Sequence, residues 1–109
     1  MRHLLLLTAA LSLAACSHPV TVIGRDGTAG VGTATRGFGS GSMNLAMSGE
    51  AYAGKWTGVT SGINTIGTAL LVSDKGSRLR CSFEYGGMTD AGFGSCKDGQ
   101  DRSYDLQIE

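Results

Sequence analysis

The chain has 109 residues and a formal net charge of zero, nine basic residues balancing nine acidic ones. The length provides for one small domain and not two, and the charge balance excludes a nucleic-acid protein, which needs a basic excess and a recognisable module. Eighteen glycines without a Gly-X-Y period, and a single proline at Pro19, predict short strands and tight turns.

In chain order, Met1-Arg2-His3 is a short basic opening, followed by Leu4–Ala15, twelve residues without a charge. A bilayer-spanning helix needs about 20 apolar residues, and a buried amphipathic helix needs a polar face that this run lacks. Its length and flanks are those of a secretory leader. The run ends in Leu13-Ala14-Ala15-Cys16. This resembles the lipobox of bacterial lipoproteins: a leucine, two small residues that fit a protease cleft, and a thiol that accepts a diacylglycerol. The resemblance implies a signal peptide at Met1–Ala15 and a mature chain beginning at Cys16, which carries a thioether-linked diacylglycerol and an amide-linked acyl chain such as palmitate. The expected partner is then the membrane, through the acyl chains on Cys16. Two or three chains hold a protein stably, each buried methylene contributing about 0.8 kcal/mol. Ser17 stands where aspartate retains enteric lipoproteins at the inner membrane, so the expected location is the outer membrane, facing the periplasm.

Ser17–Gly24 reads as a tether that lets a domain clear the lipid surface, although Val20–Ile23 within it is strand-like and can pair with that domain instead. The expected division is a signal peptide at 1–15, the lipidated cysteine and tether at 16–24, and a β domain at 25–109. Without Arg2 the mature chain keeps eight basic residues against nine acidic ones, a formal charge of −1. Arg25–Ser42 is rich in Gly, Thr and Ser, and Gly37–Ser42 reads as a flexible turn.

Beyond it a period of two takes over. Met43, Leu45 and Met47 share one face, Ser48-Gly49-Glu50 is a turn, and Tyr52, Gly54, Trp56 and Gly58 form the next face. Thr68–Ser73 is a short apolar strand ending at Asp74-Lys75-Gly76. In Arg78–Tyr85, Leu79, Cys81, Phe83 and Tyr85 face one way, and Arg78, Arg80, Ser82 and Glu84 the other. Ser103–Ile108 turns Tyr104, Leu106 and Ile108 inward.

Once Cys16 is acylated, Cys81 and Cys96 remain as a lone pair. In an oxidising compartment such a pair predicts a disulfide, closing a loop of about 15 residues worth about 3 kcal/mol. If the two face each other across antiparallel strands, Phe83 faces Gly94 and Tyr85 faces Gly92, so that aromatic rings shield the backbone that glycine leaves bare. Gly32-Thr33-Ala34, Gly67-Thr68-Ala69 and Gly94-Ser95-Cys96 each open a strand, followed by a polar turn and an aromatic-bearing strand. That weak repeat suggests three hairpins in series. The expected fold class is all-β: a single small antiparallel meander of about six or seven strands, sandwich or barrel-like.

Little in the chain points to catalysis. His3 leaves with the signal peptide, and His18 falls in the tether, outside the domain where a nucleophile–histidine pair has to sit. No metal and no cofactor is expected. Zinc ligands are lacking, Asp98-Gly99-Gln100-Asp101 does not have calcium-loop spacing, and the glycines from Gly24 to Gly32 have neither the lysine nor the helix of a phosphate loop. Asp74, Asp90, Asp98 and Asp101 fall in predicted turns, where Asp bonds nearby backbone. A carboxylate pair for glycoside hydrolysis needs a larger cleft than a chain this short readily builds. The candidate binding surface consists of Trp56, Arg78 and Arg80. Trp56, with Tyr52 nearby, suits stacking on a sugar or partner, although a lone Trp on an alternating strand is more often a core anchor. Arg78 and Arg80, with Lys75, suit lipid phosphates or peptidoglycan carboxylates, or a plain solvated face.

Leu79-Arg80-Cys81-Ser82-Phe83-Glu84-Tyr85, Gly94-Ser95-Cys96-Lys97-Asp98 and Tyr104-Asp105-Leu106-Gln107-Ile108 resemble the C-terminal signature of small proteobacterial lipoproteins. With Tyr52–Trp56 and the lipobox, the resemblance implies a shared fold and anchor and brings no activity. The membrane-bound lysozyme inhibitors are similar in being small, acyl-anchored, β-rich and disulfide-bonded, but the Trp-x-Lys-Gly segment associated with them is missing, and architecture by itself does not fix function. The expected function is a non-enzymatic envelope lipoprotein that acts by contact. The alternative is an inhibitor of a cell-wall hydrolase that inserts Gly86–Ala91 or Asp98–Asp101 into the enzyme. A small-ligand binder fits less well, because a barrel of this size is expected to fill with its own side chains.

Overall fold

The computed structural model describes residues 17–35 and 39–109. The expected signal peptide Met1–Ala15, the expected lipidation site Cys16, and Gly37 and Phe38 of the expected turn lie outside them. Among the described residues there are eight strands: β1 (Ser17–Gly24), β2 (Ala29–Thr35), β3 (Ser40–Met47), β4 (Glu50–Ser61), β5 (Asn64–Ser73), β6 (Arg78–Gly86), β7 (Ala91–Asp98) and β8 (Ser103–Ile108). Each pairs antiparallel with the next, and β1 pairs with β8 to close a barrel. The all-β antiparallel meander is therefore the fold, with eight strands in place of the six or seven expected.

Two expectations change. The segment read as a tether, Ser17–Gly24, is a barrel strand with β2 on one side and β8 on the other. Its alternate residues Val20 and Val22 are 2% and 1% exposed, so their burial holds it in the wall. The expected flexible turn at Gly37–Ser42 is shorter, because Ser40, Gly41 and Ser42 already pair with Thr57, Trp56 and Lys55 of β4. Closure satisfies the backbone of both outer strands, which an open meander leaves as unpaired edges.

The period-two pattern delivers one side chain in two to the interior. Leu71, Leu79, Leu106, Val20, Val22, Cys81 and Cys96 fill its centre. The β6–β7 register agrees with the expected one at all three positions: Cys81 with Cys96, Phe83 with Gly94 and Tyr85 with Gly92. Cys81 and Cys96 form the disulfide, their Cα atoms 4.0 Å apart. The Phe83 ring leans to its other neighbour, with its tip over Gly67 of β5.

The two ends of the barrel are built differently. At one end, Gly24–Thr28, Ser73–Ser77 and Asp98–Arg102 repeat a single turn. The first N–H donates to the fifth carbonyl at 2.7, 2.8 and 3.1 Å, and the fourth N–H donates back to the first carbonyl at 3.1, 3.0 and 3.1 Å. The fourth residue, Gly27, Gly76 or Asp101, is left-handed, with φ of 86°, 84° and 62°. This is the three-residue hairpin loop with a bulge. The opposite end holds the start of β1, the end of β8 and the β4–β5 and β6–β7 turns. There β4 and β5, with 12 and 10 residues, run past β3, whose pairing stops at Ser40 opposite Thr57.

Candidate binding site

At the end with the tight turns, carboxylates and phenols line a polar cavity of about 370 Å³. Glu50 accepts hydrogen bonds from Ser73 Oγ (2.9 Å), Ser77 Oγ (2.8 Å) and the Tyr52 hydroxyl (3.2 Å). Those from Ser77 and Ser73 hold its carboxyl below the ordinary range. Asp98 Oδ1 accepts from the backbone N–H groups of Gln100 (2.8 Å) and Arg102 (3.0 Å). Its Oδ2 accepts from Arg102 Nε (2.7 Å) and the Tyr104 hydroxyl (2.9 Å). Burial pushes the Asp98 carboxyl up, but the backbone N–H groups of Arg102 and Gln100, the guanidinium and the phenol outweigh it and bring it down to about 2. Both carboxylates thus fasten turns, Glu50 the β5–β6 turn and Asp98 its own, and each also holds a tyrosine hydroxyl. Among the described residues no group of three or more His, Cys, Asp and Glu comes together as a metal set.

The Asp98 arrangement has a pH signature. Its carboxyl lies lower in the folded chain than its ordinary 3.8, so its stabilisation is present above about pH 4 and is lost as the pH falls from there toward 2. Discounted for solvent at the barrel rim, it amounts to about 1 kcal/mol. Thermal melts across this window are expected to show a falling limb that Asp98→Asn flattens. An identical limb in the variant would remove Asp98 as its source.

The other end is open and apolar. A cavity of about 180 Å³ sits in the mouth of the barrel. Its buried walls are Ala34, Met43, Trp56, Phe83 and Ile108, and its half-buried rim includes His18, Thr35, Thr65 and Tyr85. The walls come from β2, β3, β4, β6 and β8, so that no strand or hairpin forms the site alone. Trp56 Nε1 donates to the Thr35 carbonyl at 2.9 Å, which satisfies the indole and fixes its plane. The Phe83 ring meets it edge to face, with centroids 6.0 Å apart and planes at 79°. Size sets what the cavity takes: an apolar cavity of roughly 150 Å³ binds benzene, so one ring or a short branched alkyl group fits here and a drug-sized molecule does not.

The residues singled out in the sequence do not form one site. Trp56 is 9% exposed and faces the interior, as a core anchor would, while also walling the cavity. Arg78 and Arg80 lie on the outer face of β6, opposite Val72 and Leu70 of β5. The alternation explains the separation, since even-numbered positions point inward on β4 and outward on β6. His18 is corrected from the tether to the barrel. It stands on the cavity rim, its Nδ1 donates to the terminal Glu109 oxygen at 2.9 Å, and its ring lies edge-on to Tyr85 at 5.6 Å. The first contact holds the start of β1 to the residue that follows β8, and the second holds it to β6. The Tyr85 hydroxyl in turn donates to Asp90 in the β6–β7 turn. The expected inhibitory loops, Gly86–Ala91 and Asp98–Asp101, lie at opposite ends of the barrel.

In the sequence Met43 and Ile108 lie on alternating faces and Ala34 opens a strand, none with any mark of a site. Their common signal is only their level at one end of the alternation, which acquires meaning once the barrel is closed.

No protein-family model matches the chain, and no curated protein matches it. Solved structures do. A de novo designed fluorescence-activating β-barrel superposes with a TM-score of 0.62 at 16% identity, covering 85% of this chain and 89% of its own. The redesigned β-barrels mFAP1 and mFAP0, each bound to DFHBI, give 0.61 at 14% and 11% identity, over 85% of this chain and 91% and 94% of theirs. At such identities the likeness is one of fold alone.

Proposed function

We propose that this chain is a lipid-anchored protein of the bacterial envelope that works by non-covalent binding at the open end of its barrel, without a catalytic step. The observation that carries the reading is the apolar cavity opening beside Ser17, the residue that follows the candidate lipidation site. The walls offer ring and methyl surfaces, and the only fixed polar group among the wall side chains, the Trp56 N–H, is already engaged by Thr35. Such a lining selects by shape and apolarity. The ligand class is a single aromatic ring, or the short alkyl end of a larger amphiphile. Redesigned barrels of nearly the same extent are bound to DFHBI, so a chain of this length is no bar to ligand binding in this architecture. The lipobox-like Leu13-Ala14-Ala15-Cys16 supports attachment through Cys16, and Ser17 supports an outer-membrane site facing the periplasm.

Two measurements on protein isolated from a membrane fraction test this. Intact mass is expected to show loss of Met1–Ala15 and an acyl adduct on Cys16; an unmodified thiol there overturns the anchor. Saturating benzene, used as a probe of the cavity, is expected to raise the melting temperature by about 2–4 °C. Ala34→Leu, which fills the cavity, is expected to abolish that rise while still melting cooperatively. A melting temperature indifferent to benzene in the parent chain overturns the binding reading. Inhibition of lysozyme by stoichiometric protein would replace it with the hydrolase-inhibitor reading.

A further inference from the structure

The exposed apolar side chains are unevenly placed. Among the described residues, five of the nine large ones lie at the open end: Val59 (74% exposed), Ile63 (57%), Ile66 (62%), Met88 (83%) and Phe93 (66%). Register makes three of them one row. Val59 pairs with Ile66, Ile66 with Glu84, and Glu84 with Phe93, all on the outside of β4 to β7. Ile63 and Met88 are at the tips of the two turns just beyond that row, which the Gly87 N–H ties together through the Ile63 carbonyl at 2.8 Å. The β4–β5 tip from Val59 to Ile66 contains no charged residue.

Charge is distributed the other way. Each turn at the opposite end carries it in or beside the bend, as at Arg25, Glu50, Lys75 and Arg102. The outer wall carries Arg80 opposite Lys97. The remaining apolar pair on β5, Leu70 and Val72, is flanked by Lys55, Arg80 and Arg78. A barrel that spans a bilayer presents an apolar band around its girth; here five of the nine crowd one end, while Ile23 and Val31 on β1 and β2 stand singly apart from them. Contiguous exposed apolar surface of this kind marks a contact with lipid or protein. The position of the β1 start, next to the candidate lipidation site, chooses between them. Ser17 pairs with Thr35 at the same rim, so acyl chains on Cys16 hold this end, and no other, within one residue of the lipid.

We propose that the open end is a membrane-contact surface. Val59, Ile63, Ile66, Met88 and Phe93 enter the headgroup region of a phospholipid leaflet, and the mouth of the cavity turns toward the lipid. Among the described residues, Glu84 within the row, and Asp90 and Glu109 near the rim, keep the contact shallow and favour a zwitterionic over an anionic surface. The cavity then opens where acyl chains and membrane-dissolved amphiphiles are concentrated. The proposal rests on the anchored-barrel reading for the acyl chains that bring this end to the leaflet.

The test uses the full chain, isolated from membranes and reconstituted in phosphatidylcholine vesicles. Phe93→Trp places a reporter in the row, and Leu70→Trp places one at a comparably exposed site lower on the wall; both are surface changes that leave the core untouched. Phosphatidylcholine brominated high on its chains is expected to quench the emission added by Phe93→Trp and to spare that added by Leu70→Trp. Adding Ile66→Lys and Met88→Lys to the Phe93→Trp chain is expected to remove the quenching. Quenching of neither reporter, or of both alike, overturns the proposal. So does a dimer that shields Phe93→Trp from lipid bromine and aqueous acrylamide together, which would make the patch a contact between copies. Intact mass of the same samples reads the anchor separately. Acylated protein without Phe93→Trp quenching overturns the surface and leaves the anchor standing. Unacylated protein that floats with the vesicles and is quenched keeps the surface and overturns the anchor.

Discussion

Alanine in place of Gly54 or Gly94 is expected to abolish cooperative folding of the barrel. A Cβ built at Gly54 falls 2.0 Å from the Leu70 carbonyl oxygen, and one at Gly94 falls 2.0 Å from that of Ser82 and 2.7 Å from the Phe83 Cα. Gly32 repeats the arrangement, 1.9 Å from the Asn44 oxygen. In each case the obstacle is the main chain of the neighbouring strand, one residue before the glycine's own register partner. A flexible side chain can move aside; a paired strand in a closed barrel cannot move without breaking its ladder. These glycines mark where strands coil sharply enough for the sheet to close. Destabilisation above about 4 kcal/mol is the expected scale for such an overlap, against a total of about 5–15 kcal/mol for a small domain. Gly99→Ala is the control: a Cβ there meets nothing within 4 Å, and the change is expected to stay within about 0.5 kcal/mol. Urea unfolding followed by Trp56 fluorescence and far-ultraviolet circular dichroism reads both. An unchanged midpoint for Gly94→Ala would show that the strands relax and that the close approach carries no cost.

Reducing the Cys81–Cys96 bond is expected to have the next largest effect. The bond joins directly paired residues of β6 and β7 and closes a loop with a sequence separation of 15. Loop-closure entropy alone gives about 3 kcal/mol for that length, a fall in melting temperature of about 12–24 °C in a domain of this size. Both cysteines are 1% exposed, so reduction has to be carried out on unfolded chain before refolding. Comparing oxidised and reduced forms of one sequence isolates the cross-link, because the two thiols still fill nearly the same space. The Cys81→Ala/Cys96→Ala chain is expected to melt lower still, through the lost packing. Coincident melts for the oxidised and reduced forms would show that β6 and β7 already stay together in the denatured chain.

The parts of this molecule that were legible in its sequence are local. A period of two identifies the inward faces of β3, β4, β6 and β8 from residues a few positions apart, since successive side chains of a strand point to opposite faces whatever lies beyond. Cys81, Phe83 and Tyr85 recur at the same spacing as Cys96, Gly94 and Gly92, so one register accounts for all three pairs, and the structure has it. The carboxylate of Asp98 binds the backbone of its own turn, as Asp does in any bend that offers free N–H groups.

What only the tertiary structure decided depends on β1 meeting β8. Their register joins Val20 to Ile108 and Val22 to Leu106, pairs separated by almost the whole chain, and no local pattern sets that distance. Ser17–Gly24 therefore reads as a tether until β8 supplies the far side of its ladder, and His18 reads as outside the domain until closure brings Glu109 to it. The cavity has the same origin. Ala34, Met43, Trp56, Phe83 and Ile108 are each inward by alternation, but whether five inward side chains fill a space or leave one depends on the circumference they share, and that is set by the number of strands and their stagger when the sheet closes. The charge pattern and the apolar β4–β5 tip were present in the sequence from the start. They became two ends of one object, one polar and one apolar, only when eight strands placed alternate turns at opposite rims.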